Sequence, residues 1–81
     1  METQPIPIAD VYVPVKRKRD LDAAKVDALA EAILEEGVKT PIQVRQDKNR
    51  LVLVEGLHRL EAARALGEET IPAIVVGARR F

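Results

Sequence analysis

"LVLVEGLHRLEAARALG", residues 51–67, changes character halfway along. Leu51 to Val54 is an unbroken apolar run, the mark of a short strand buried on both faces. Gly56 breaks the run. A helical pattern then extends from Leu57 to Leu66, and Gly67 stops it. At the joint stand His58, the chain's only histidine, and Arg59. A helix start carries free backbone N–H groups and the positive end of the helix dipole. A glycine just before it lets a ligand come close to the backbone. Together these make an anion site suited to phosphate. Two basic side chains in the first turn work against the dipole unless an anion shares the site. Arginine offers a planar fork that matches phosphate oxygens, and histidine can donate or accept near neutral pH. On its own G-x-H-R is a weak motif. The plain alternative is that His58 lies on the surface and Arg59 pairs with Glu61 or another carboxylate.

Working outward, Pro41 to Gln46 alternates as a strand through Ile42 and Val44. "QDKNR" forms a turn, because Asp and Asn tolerate tight backbone geometry. The two strands around it make a hairpin. Downstream, "TIPAIVV", residues 70–76, is a final strand with Pro72 at its entrance. Upstream, Val26, Leu29, Ala30 and Ile33 fall on one helical face. Asp22 is placed to cap this helix, Ala23 to Glu36, and Gly37 fits a left-handed stop. Pro5 to Val13 alternates loosely. Its prolines and Asp10 restrict it to an edge strand or an extended arm. Pro14 and the following charge run indicate a loop. The order strand, helix, strand, strand, helix, strand implies an α/β or α+β sandwich; an α+β fold, a small mixed sheet packed with two main helices, is expected.

Composition narrows the chemistry. The 81 residues suit one domain spanning 1–81, and the 47% apolar content is almost wholly aliphatic. There is no cysteine, which excludes disulfides, thiolate metal sites and a cysteine nucleophile. There is no serine either, so no Ser–His–Asp arrangement, and one histidine makes no metal cluster. The 13 basic and 13 acidic residues cancel, so nucleic-acid contact would need a local patch. The run Lys16 to Arg19 is the candidate. It reads as a solvated loop, since aromatics for stacking are nearly absent, or one of its residues folds over the anion site. No apolar run could span a bilayer, and "METQPIPIAD" lacks the pattern of a signal peptide. A cytoplasmic, non-membrane protein is expected.

From Pro5 to Val76 the chain resembles the ParB/sulfiredoxin superfamily. The resemblance rests on "LDAAKVDALAEAILEEG", the following "PIQV", the box "EGLHRLEAARALG" and "ETIPAIVV", in that order and spacing. It implies the ParB/sulfiredoxin-like fold. In that family the G-x-[HR]-R box sits at a helix start and binds nucleotide phosphates. The resemblance therefore implies nucleotide or phosphate binding at Gly56, Leu57, His58 and Arg59. Lys25 matches a lysine that sulfiredoxins use for ATP. ATP or CTP, with Mg2+, is the implied cofactor.

The departures bear on the chemistry. Sulfiredoxins carry their catalytic cysteine where this chain has Leu57. Hydroxyl residues that help them hold ATP fall at Ala28 and Ala32. ParB proteins have an acidic residue at the Leu57 position, bind CTP, and carry helix-turn-helix and dimerisation domains further on. These 81 residues are read as a stand-alone first domain of that kind. A third branch resembles free-serine kinases and uses an acidic base near the first helix. Asp20 or Asp22 could fill that role, although Asp22 serves as a cap. The expected function is thus a nucleotide-binding module with no assigned catalytic residue. An ATP-dependent phosphotransferase, or a sulfiredoxin-like enzyme lacking the thiol, is the enzymatic alternative. A DNA-partition or regulatory protein working with a separate DNA-binding chain, another protein partner or a second copy is the third.

Overall fold

The structure, a computed structural model, describes residues 2–77; Met1 and residues 78–81, the extremes of the expected 1–81 domain, lie outside the described residues. It contains strand β1 (Thr3–Pro7), a 3-10 turn (Ile8–Asp10), β2 (Val11–Tyr12), α1 (Val15–Lys18), α2 (Ala23–Glu36), β3 (Ile42–Asp47), β4 (Arg50–Glu55), α3 (Leu57–Ala65) and β5 (Thr70–Val76). The strands form one mixed sheet in the order β1-β5-β3-β4-β2. β3 pairs antiparallel with β4, as the hairpin requires, and parallel with β5. β1 runs antiparallel to β5, and β2 parallel to β4. The α+β class is as the sequence implies.

The core is aliphatic and lies between the sheet and α3. Ile42, Val44, Ile71 and Ala73 meet Leu57, Leu60 and Ala63 there. Ile42, Leu60 and Ile71 are fully buried. α3 is thus pinned by its own apolar face directly above the strand ends. α2 packs on α3 rather than on the sheet. This explains why its apolar face is only partly covered: Ile33 is buried, while Val26, Leu29 and Ala30 are half-buried.

Several elements depart from expectation. Pro5 to Val13 is not one arm. The 3-10 turn divides it into β1 and β2, which lie at opposite edges of the sheet. In β4 only Val52 and Leu53, at the middle of the strand, are buried; Leu51 and Val54 on either side are half-buried. The charge run after Pro14 is not a loop. It forms the single turn α1, closed by hydrogen bonds from the Arg17 and Lys18 amides to the Pro14 carbonyl. Pro14 is the N-cap, at φ −59° and ψ 146°, outside the helix itself, so its missing N–H withdraws no helical bond. Gly37 has φ 80° and ψ 176°, so it leaves α2 through glycine-only backbone outside the left-handed helical basin.

Asp22 caps α2 as its sequence suggests: a carboxylate oxygen accepts from the Ala24 amide over 2.9 Å. Asp22→Ala should lower stability by about 1 kcal/mol, the usual worth of such a cap. Urea unfolding would read the loss, and Asp22→Asn should restore most of it.

Candidate functional site

β4 ends at Glu55, and the chain enters α3 through Gly56 at φ 105° and ψ 32°. Left-handed backbone of this kind is cheap only for glycine. Packing imposes the same choice. A Cβ on Gly56 would stand 2.7 Å from Ile42 Cγ2 and 3.0 Å from Ile42 Cβ. The glycine is therefore demanded by the core side of the turn. On the opposite side its backbone borders a pocket of about 390 Å3.

No side chain caps α3. The Leu60 amide makes the first helical bond, to the Gly56 carbonyl at 2.9 Å. The amides of Leu57, His58 and Arg59 therefore have no helical acceptor, and no acidic residue lies in the first turn. Leu57 contributes only backbone to the site. Its side chain is 6% exposed and belongs to the core. Where a reactive side chain would stand in a G-C-H-R box, this protein has a buried aliphatic group.

His58 and Arg59 both line the pocket, with Leu29 of α2 beside them. Arg59 is half-buried, and no carboxylate lies within ion-pair distance of it among the described residues. The pairing with Glu61 does not occur: Glu61 is taken by Arg64, 3.4 Å away. A half-buried guanidinium normally finds an anionic partner, because partial desolvation disfavours a lone charge. Arg59 also borders a second, smaller groove of about 160 Å3 between the end of α2 and Lys39.

The charge run supplies one further cation. Arg17 of α1 is half-buried, lines the pocket and donates from Nη2 to the Val54 carbonyl at 2.7 Å. Lys16, Lys18 and Arg19 stay exposed. Asp20 and Glu55 add two exposed carboxylates to the wall. Lys25 sits in the first turn of α2, exposed, and does not line the pocket. The backbone N–H of Asp22 donates to His58 Nε2 over 3.0 Å, a contact that no spacing in the sequence signals. Among the described residues no cluster of three metal-ligating side chains occurs, and no helix is long and apolar enough to cross a membrane.

Comparison with known proteins gives this site its context. Over 62 residues, 76% of this chain and 22% of the relative, it is 36% identical to a probable chromosome-partitioning protein ParB of Campylobacter jejuni. It spans about a quarter of the length of the curated relatives it matches. Its fold is similar to sulfiredoxin from Arabidopsis thaliana, with TM-score 0.87 at 28% identity, covering 96% of this chain and 88% of that one. It is also similar to C-terminally truncated ParB from Caulobacter crescentus complexed with CTP-γ-S. There the TM-score is 0.83 at 26% identity, covering 98% of this chain and 46% of that one. The model of the ParB N-terminal domain matches residues 1–80, and the chain belongs to that family.

Proposed function

We propose that this chain is a ParB-type nucleotide-binding module that holds a nucleoside triphosphate, CTP before ATP, by its phosphates at the start of α3. The observation that carries the reading is Arg59, a half-buried guanidinium without an ion-pair partner among the described residues, beside an uncapped helix start. A phosphate there would accept from the free amides of Leu57, His58 and Arg59 and from the Arg59 fork. Gly56 sets the turn that presents those amides, and Arg17 adds charge across the pocket; Lys25, exposed on the first turn of α2 outside the pocket lining, would meet the outer phosphates only by swinging inward. Asp20 and Glu55 offer the one or two carboxylates that suit Mg2+ when phosphates complete its shell.

Two observations favour CTP. The ParB neighbour with a CTP analogue shares this fold over nearly the whole chain. Ala28 and Ala32, at the positions of the sulfiredoxin hydroxyls, leave α2 without those hydrogen bonds to ATP. Within a longer protein, or beside a separate DNA-binding chain, the bound nucleotide would serve partition or nucleoid occlusion. Asp20 in the pocket wall favours one second reading, phosphotransfer with Asp20 as base.

Calorimetric titration of CTP, ATP and GTP with Mg2+ tests both readings. Saturable heat with CTP, weaker with ATP, is the expected result. No binding of any of them at ~1 mM would overturn the proposal. Steady phosphate release that is lost in Asp20→Asn would favour the second reading.

A further inference from the structure

The hydrogen bond between Asp22 and His58 lies outside anything phosphate binding requires. A backbone amide can only donate, so His58 Nε2 must be an unprotonated acceptor. The ring's proton then resides on Nδ1, and a doubly protonated ring could not make this bond. Nδ1 has no protein partner among the described residues. The ring lines the pocket, and Nδ1 is its one remaining polar atom. The Asp22 amide is itself fixed, because the Asp22 carboxylate accepts from Ala24 and sets the first turn of α2.

We propose that His58 is a neutral relay between a bound anion and α2, donating from Nδ1 to the ligand while the Asp22 amide holds the ring in that tautomer. The inference rests on the pocket being an anion site. Asp22 is then a positioning residue that acts through its backbone. The direction of coupling follows from hydrogen-bond chains. Donation from Nδ1 to an anion raises the basicity of Nε2 and strengthens its bond to the Asp22 amide. Ligand occupancy therefore tightens the head of α2.

A second contact places the relay in a larger unit. Arg17 ties the other end of the same segment to the sheet through the Val54 carbonyl. Residues 17–22 are thus tied at both ends, Arg17 to β4 and Asp22 to α3, and α1 itself buries no residue. The division of labour is also defined. Arg17 and Arg59 supply fixed positive charge, and His58 supplies direction without charge.

The test uses protein labelled with 15N in histidine and backbone. The ring 15N shifts, recorded in alkaline buffer, report which ring nitrogen carries the proton. The Nδ1–H form is expected in the free protein; a dominant Nε2–H form would overturn the relay. Hydrogen exchange at the Asp22 amide should slow several-fold when CTP is added. His58→Asn withdraws the acceptor and should speed that exchange several-fold in the free protein. His58→Gln keeps an acceptor near the Nε2 position. It should retain the protection and lose the response to CTP. Unchanged Asp22 exchange in His58→Asn would also overturn the relay. CTP binding with an Nε2–H ring would sink the relay alone. An Nδ1–H ring with no response to CTP, ATP or pyrophosphate would sink the phosphate reading and the relay with it.

Discussion

Gly56→Ala is expected to destabilise the protein by about 2–5 kcal/mol. Two costs add. Left-handed backbone costs a residue with a Cβ roughly 1–2 kcal/mol. Forcing an extra methyl into a packed core costs roughly 1–3 kcal/mol more. The new Cβ would stand 2.7 Å from Ile42 Cγ2, and Ile42 is fully buried at the sheet's centre with little room to yield. Gly67→Ala separates the two costs. Gly67 also has positive φ, 81°, but nothing lies within 4 Å of its hypothetical Cβ. That variant should lose only the conformational part, about 1–2 kcal/mol. Equal losses for the two variants in urea unfolding would show that Ile42 does not dictate Gly56.

Arg59→Ala should weaken CTP or ATP binding at least about tenfold. That matches the 1.5–3 kcal/mol of a charge-assisted hydrogen bond to phosphate. Stability should change little, since no ion pair among the described residues is lost. This pairing of outcomes separates Arg59 from Gly56, whose replacement disturbs both fold and pocket. Arg17→Ala is a less clean probe, because it also removes the bond to the Val54 carbonyl. Equal affinity of wild type and Arg59→Ala by calorimetry would count against the phosphate reading.

What could be read before the fold was known was local. The bounds of α2 and β5 follow from a cap, a glycine and a short apolar run, each acting within a few residues. The joint at Gly56 was legible for the same reason. Its cause was not. The glycine reads as an opening for a ligand, whereas the contact that forbids a side chain comes from Ile42, fourteen positions away and on another strand. The charge run shows the same limit. Four consecutive cations look alike in sequence. Only the approach of α1 to the end of β4 singles out Arg17, by offering it the Val54 carbonyl. The alternation in Pro5–Val13 indicates extended chain, but it cannot tell one strand from two strands at opposite edges. His58 and Asp22 lie thirty-six residues apart, and no periodicity connects them.

The most direct measurement follows the backbone amides of 15N-labelled protein as CTP and Mg2+ are added. The largest displacements should fall on Leu57, His58 and Arg59, with smaller ones at Arg17 and Asp22. Displacements that spare these three amides and gather elsewhere, or saturable binding that leaves the start of α3 unmoved, would contradict the account.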